Sequence, residues 1–439
     1  MSSGMGLKHT AAVQLTGNSS QRRVSPSAQT GNAPRAASPL DTPSVTSAQD
    51  VAVPIMAPKS ALEQRRLKAL TPYNPAIWEE LLLSSGLLSK YPNIPESLRL
   101  GFTASMPPIL SSYIPDNNSS VRNYKDTFNK MLSRELALGR YLGPFSQTEL
   151  ESAIGKFQTS PLSIIPKPGK PGKFRFIQNL SFLHNPTPPL ASINSRINAD
   201  CYPCTYGTFD IVSLLIWHLP PGSQAAIRDV SEAYRTVPLH PSEWPGLVVR
   251  IDQDQFAVDT CLCFGFGPSG GIYGNLASAG ADILRAGGIG PISRWVDDHI
   301  FFRIRKEFLL QFNQKWALTA ELIRDNGGQQ SSGGRIWYPG DFQPNGSQAE
   351  FDDDHVFPLV DLSSDSPRSE EDQKYTYNFE DIDRISRILG IPWEPSKDIP
   401  FSPSVTYLGF TWDLDNRTVT LSDSKRTKYI QAIDDWRSS

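Results

Sequence analysis

An excess of charge of one sign is missing: 42 Lys and Arg stand against 45 Asp and Glu, a net charge of −3 over 439 residues. A globally basic surface for nucleic acid is thereby excluded, and any such surface has to come from local clustering. Long hydrophobic runs are missing too. A stretch such as IVSLLIW is far too short to cross a bilayer, so no membrane partner is expected. The N-terminus has no continuous apolar core of the signal-peptide kind. Cysteine is scarce, with four residues placed as Cys201-x2-Cys204 and Cys261-x-Cys263. With no secretory signal, these read as reduced thiols of an intracellular protein, in cytoplasm or nucleus. The one-residue spacing in the second pair, far from the first, argues against a zinc site. No G-x-x-x-x-G-K-[ST] run is present, which argues against a P-loop enzyme.

What remains is a chain with 39% hydrophobic residues, enough for a sizeable core, and with 37 prolines, hence many loops. Residues 1–57, rich in Ser, Ala, Thr, Gln and Pro, read as a disordered tail. A helical region follows over 58–155, with apolar spacing in PAIWEELLLSSGLL and VRNYKDTFNKMLSRELALGRYLG. Ser146 to Glu149 spell a capping box, and Gly155 a stop. Next, Ile164-Ile165 and Phe174 to Leu180 read as two strands around a loop. Five basic residues and no acidic ones lie between Lys156 and Arg175, a pattern that suits phosphate oxygens.

Ala225 to Val230 reads as a buried strand with Asp229 near its end. GLVVRI and QFAVDTCLCF form a hairpin, and FGFGPSGG bends into a helix that ends at Gly287-Gly288. Then comes PISRWVDDHIFFRI, two apolar strands with Asp297 and Asp298 at their turn. Adjacent carboxylates among strand formers are costly to bury unless a cation compensates them. Oxygen-only ligands favour Mg²⁺. For the same reason His299 reads as a bystander rather than a ligand. Residues 306–325 form an amphipathic helix, and 327–379 read as a flexible acidic insertion. FEDIDRISRILG is a short helix, VTYLGFTWDL and TVTL a hairpin, and 422–439 an amphipathic helix opening another layer. A strand-end Asp229 followed by a hairpin-turn Asp297-Asp298 suits two-metal phosphoryl transfer.

Taken in order, these pieces resemble the reverse transcriptases of retrotransposons and retroviruses, across roughly residues 140 to 438. IIPKPGKPGKFRFIQNL resembles the fingers hairpin, which implies triphosphate contacts for Lys167, Lys173 and Arg175. RDVSEAY resembles motif A, implying that Asp229 is a metal ligand and that Tyr234 lies under the sugar and excludes a 2′-hydroxyl. CFGFGPSGGIY resembles motif B, implying that Phe264 and Gly265 shape the nucleotide and template pocket. WVDDH resembles motif C, implying metal-binding Asp297 and Asp298. Lys397 falls where motif D offers a lysine near the leaving pyrophosphate, and VTYLGFTW resembles the primer grip. The phrasing of GRYLGPF, SINSRI, LPPGS and GIGPISRWVDDHIFF is most similar to the DIRS-like, tyrosine-recombinase type found in fungi.

The resemblance implies an α+β right-hand polymerase. Fingers and palm with an antiparallel palm sheet occupy 156–421, and a truncated thumb begins at 422. It further implies RNA-directed DNA polymerase activity with Mg²⁺, or Mn²⁺ in its place. The partners are then an RNA or DNA template with primer, a dNTP, and other retroelement-encoded proteins. Departures exist: Cys263, Ser269 and Gly270 replace Pro, Ala and Pro in motif B, and Trp295 replaces Tyr or Phe in motif C. Asn179 and Ser181 replace the usual acid and base of the fingers strand. Two other readings stand beside this one, a catalytically inactive nucleic-acid-binding remnant of such an element and an untemplated nucleotidyltransferase.

Overall fold

Local signals set the helix boundaries in the first third of the chain. The structure, a computed structural model, describes residues 58–183, 190–204, 206–325, 329–330, 336–342, 348–353, 357–365 and 367–438. The tail expected to be disordered, 1–57, lies outside them. The chain opens with α1 (Pro58–Leu67), α2 (Pro75–Ser84), α3 (Ile94–Leu100), α4 (Ser119–Asn123) and α5 (Lys125–Ala137). Pro75 fills the first turn of α2, behind Asn74, whose side chain accepts from the Ile77 N–H. That arrangement satisfies one orphan donor and needs none from proline. After β1 (Tyr141–Phe145) comes α6 (Gln147–Ile154), which carries both halves of the Ser146–Glu149 capping box and stops at Gly155.

The middle of the chain supplies β2 (Leu162–Pro166), β3 (Phe174–Gln178), α7 (Phe209–His218), β4 (Gln224–Asp229), β5 (Val248–Asp252) and β6 (Gln255–Asp259). Then follow α8 (Ser269–Ala286), β7 (Ile292–Trp295), β8 (Asp298–Arg303) and α9 (Leu309–Asp325). The last part holds β9 (Gln329–Gln330), β10 (Ile336–Phe342), β11 (Gln348–Asp353), α10 (Phe379–Leu389) and β12 (Ile399–Ser402). It closes with β13 (Ser404–Tyr407), β14 (Phe410–Asp413), β15 (Thr418–Leu421) and α11 (Asp423–Ser438).

The sheet that matters is β12-β4-β8-β7, antiparallel throughout. Side chains alternate along each strand, and β8 is covered on both faces, which its Ile300-Phe301-Phe302 run reflects. Ile300 and Phe302 enter a core with Leu215 and Val212 of α7, Phe312 and Trp316 of α9, and Trp412. Phe301, between them, enters the opposite core with Ile283 of α8, Ile382 of α10 and Trp78 of α2. The N-terminal helices therefore share the core behind the sheet. The Trp78 indole donates to the Leu389 carbonyl at 2.9 Å, and Lys90 and Tyr91 both reach the buried Asp282.

The stretch expected to be a flexible acidic insertion, 327–379, has buried side chains among its described residues: Leu359, Leu362, Tyr375 and Tyr377. The acidic residues of this stretch and of α10 pair with buried arginines, Asp372 with Arg303 and Asp381 with Arg368, each at 2.5 Å. A charge-rich composition was compatible with this because the arginines that neutralise it lie elsewhere or between widely spaced anchors. Upstream, β11, β10 and β9 form their own antiparallel sheet. Asp352 and Asp353 lie in β11, and Asp354 lies outside the described residues.

A second buried ion group ties α5 to the β1-β6-β5 sheet. Arg235 reaches Asp259 and Glu135 at 2.8 Å each, and Asp259 is fully buried. Replacing Arg235 by Met strands the Asp259 carboxylate. Urea unfolding should register a loss of about 3–5 kcal/mol, the usual cost of halving a buried pair. A loss below about 1 kcal/mol would show that the pair contributes nothing beyond its packing.

Candidate active site

The register of the central sheet assembles three carboxylates. Asp229 ends β4 directly opposite Asp298, the first residue of β8, and Asp297 lies in the turn just before it. The Val230 N–H donates to the Asp297 carbonyl at 3.1 Å, which ties the turn to the end of β4. Oxygens of Asp229, Asp297 and Asp298 lie within 4.8 Å of one another. The turn is strained, since Val296, a β-branched residue, has φ of 54°. It is held from below by the Tyr407 hydroxyl, which donates to the Asp298 carbonyl at 3.0 Å.

Lys397 completes the group. It ends a short turn after α10, and its Nζ lies 2.6 Å from Oδ1 of Asp229. The Glu394 N–H, bonded to the Asp229 carbonyl at 2.8 Å, fixes that approach. Burial pushes the Asp298 carboxyl up to about 7, helped by its hydrogen bond to Asp229 and by the charges of Asp297 and Asp229. Asp297 is also raised, by burial first and by Asp229 next. Burial works against the Lys397 ammonium, yet its bond to Asp229 and the neighbouring charges raise it overall. The three carboxylates thus repel one another, and one lysine does not fully neutralise them. An all-oxygen, multiply anionic donor set of this size fits a hard divalent cation such as Mg²⁺. Among the described residues, this is the group of three or more ligating side chains close enough to hold an ion.

Two neighbours are kept out of the site. His299 is buried, its Nδ1 is paired with the Asp297 carbonyl at 3.0 Å, and burial drags it down to about 3. It is neutral and committed to the turn. Arg228, one residue before Asp229, points to the other face and pairs with Asp398 at 2.9 Å and with Asp383.

A second cluster lies on the α8 side. Tyr234 follows β4 in a short 3-10 turn, and its ring packs 5.0 Å from Phe264 and 5.7 Å from Tyr273. Phe264 is 66% exposed, and Gly265 has φ of 95°, a conformation that favours glycine. Sequence reasoning missed what holds this bend. The Asn194 side chain donates to the Gly265 carbonyl at 2.8 Å and accepts from the Gly267 N–H at 2.9 Å. A lone Asn in a polar loop carries no periodic signal; only its place in the SINSRI phrase marks it.

The basic hairpin is a third group. Phe174 and Phe176 of β3 face Tyr124 and Phe128, with ring centroids 5.1 and 5.7 Å apart. Alternation then places Arg175 on the opposite face. Lys167, Lys173 and Arg175 are exposed, and none forms a hydrogen bond or ion pair with the three carboxylates. The structure therefore brings together Asp229, Asp297, Asp298 and Lys397, and separately Tyr234, Phe264 and Gly265. Among the described residues, the side chains of Lys167, Lys173 and Arg175 are bonded to neither group.

Neither a family model nor a curated protein matches the chain. Solved structures do. A foamy viral protease-reverse transcriptase in complex with dsDNA is 14% identical, with a TM-score of 0.41, over 74% of this chain and 47% of that one. The dRH form with ds DNA gives 14% identity and a TM-score of 0.42, covering 87% and 50%. The complex with an RNA/DNA hybrid gives 14% and 0.41, covering 87% and 38%. This chain spans half or less of the length of each. Among the described residues, no helix is long and apolar enough to cross a membrane.

Proposed function

We propose that this chain is a template-directed DNA polymerase of the reverse-transcriptase kind, encoded within a retrotransposon. One observation carries the reading: three carboxylates, from the end of β4, the start of β8 and the turn before it, with oxygens within 4.8 Å, meet a lysine at the end of the same sheet. The ordered motifs from the basic hairpin to VTYLGFTW support it, and the DIRS-like type rests on sequence phrasing alone.

Asp229 and Asp297 are the residues that would hold two Mg²⁺ ions, with Asp298 as a supporting carboxylate and Mn²⁺ as a substitute. The chemistry that such ions would supply there is to lower the pKa of a primer 3′-hydroxyl and to neutralise the departing pyrophosphate. The protein's own groups do the rest. Lys397 keeps a proton on Nζ beside Asp229, ready to donate to a phosphate oxygen. Tyr234 and Phe264 form an aromatic floor for the sugar of the incoming dNTP. Lys167, Lys173 and Arg175 neutralise its triphosphate as charge shifts in the transition state. The template-primer, RNA or DNA, is gripped through its backbone, so binding weakens steeply with salt.

The test is extension of a primer on an RNA template with dNTPs and Mg²⁺. Incorporation directed by the template supports the reading. A folded protein that binds primer-template and extends nothing is instead a nucleic-acid-binding remnant. Within an active enzyme, Arg175→Ala should raise the dNTP KM about tenfold with little change for primer-template, the loss of one charge-assisted contact. An unchanged dNTP KM would remove Arg175 from the triphosphate site.

A further inference from the structure

Beside the carboxylates stands an aromatic pair of which one member, Tyr206, belongs to none of the motifs. Trp295 ends β7 opposite Asp298 in the sheet register, two residues before Asp297, and is 39% exposed. Tyr206 comes from a different part of the chain, the segment before α7. Its ring lies 4.7 Å from that of Trp295, tilted by 32°. That geometry is an offset stack of the favourable kind.

The segment carrying Tyr206 is fastened on both sides. The Gly207 N–H donates to the Arg294 carbonyl at 2.7 Å, which lays the backbone against the free edge of β7. A Cβ at Gly207 would sit 1.9 Å from Oγ of Ser293 and 3.1 Å from the Arg294 carbonyl oxygen, so a larger residue would force Ser293 to move. On the other side, the Tyr206 hydroxyl lies against Gly270 at the start of α8, and the Cys204 sulfur lies against Gly274 of the same helix. That thiol, together with burial, pushes the phenol up to about 12, so it stays neutral. Tyr206 is thus locked by its own neighbours, and its ring limits where the Trp295 indole can go.

The order of the sheet indicates what the indole faces. Tyr234, on the nucleotide side, follows β4; Trp295 ends β7, and β8 with its carboxylate lies between these two strands. If the incoming nucleotide lies over Tyr234, the nucleoside that presents the attacking hydroxyl comes from the β7 side.

We infer that Tyr206 is a positioning residue: it braces Trp295 as a wall for the terminal nucleoside of the primer. The inference rests on the polymerase reading above. An exposed indole can contact any base or sugar, so the wall serves every sequence, and a braced indole places the 3′-hydroxyl with less freedom to lose.

The experiment compares wild type with Tyr206→Ala, Tyr206→Phe, Trp295→Ala and the double alanine variant in primer extension. Primer-template KM, dNTP KM and kcat are measured separately, alongside melting temperatures. Tyr206→Ala should raise the primer-template KM about tenfold while dNTP KM and melting temperature hold. Tyr206→Phe, which keeps the ring and loses only the hydroxyl, should restore it. In the Trp295→Ala background, removal of Tyr206 should cost nothing further, because the two act as one unit. A primer-template KM within twofold of wild type for Tyr206→Ala overturns the inference, as do losses that simply multiply in the double variant. If Tyr206→Ala melts early, Tyr206→Phe and the double-variant cycle decide in its place. A wild-type protein that extends no primer overturns the polymerase reading itself, an outcome distinct from any of these.

Discussion

Asp297→Asn should abolish primer extension, with a loss on the order of 10⁴ in rate, as expected when a member of a catalytic unit is removed. The change keeps the shape of the side chain and removes its charge, so the turn between β7 and β8 should survive. The backbone carbonyl of residue 297 still accepts from Val230 and from His299, and neither bond uses the side chain. Primer-template affinity, measured by anisotropy without dNTP, should stay within about threefold, because backbone phosphates dominate it. Asp229→Asn should behave alike in rate but also release Lys397, whose Nζ lies 2.6 Å from the carboxylate lost. Extension that survives either substitution at more than about a tenth of the wild-type rate would remove these carboxylates from the chemistry.

The second large effect couples metal, pH and stability. Asp298 is pushed up to about 7, well above its value in an unfolded chain. A raised carboxyl means that the folded state binds its proton more tightly than the unfolded state does. Without metal, the fold is therefore favoured at low pH and loses stability as pH climbs from about 4 through about 7. The raised Asp297 adds to the same slope. A divalent cation replaces the missing proton, so its stabilisation should be large at pH 8 and small at pH 5.5. At a hundred times its dissociation constant, a ligand adds about 2.7 kcal/mol. In a thermal melt that is a rise of several degrees at pH 8. Asp298→Asn should flatten the pH slope and weaken the response to Mg²⁺. An Mg²⁺ shift of equal size at both pH values would mean that the ion binds somewhere else.

The carboxylates were legible in the sequence because each sits at the end of a short apolar run, and because Asp229, the Gly-rich bend and Asp297-Asp298 follow one another in order. The capping box at Ser146 and Glu149 was legible because it is local, complete within four residues. What escaped was everything fixed by partners distant along the chain. Asn194 clamps a bend more than seventy residues ahead of it. Tyr206 finds Trp295 only after β7 is in place. Residues 357–379 looked like solvent-facing acid because Arg303 and Arg368, which neutralise Asp372 and Asp381, give no sign of being buried. Composition registers charge but not pairing. Lys397 was singled out only by the resemblance to motif D, and the structure seats it on Asp229.

The sharing of one core by the N-terminal helices and the sheet has a practical side. The motifs that carry chemistry all begin after residue 155, so a laboratory trimming the gene to them would start there. Such a fragment would leave the back of α8 and α10 bare: Trp78, Leu82, Tyr91 and Leu98 would be gone from the core they fill. Asp282 would lose both Lys90 and Tyr91. An insoluble product from that fragment would then reflect where the gene was cut. Expression should start upstream of α2, at or before Pro58.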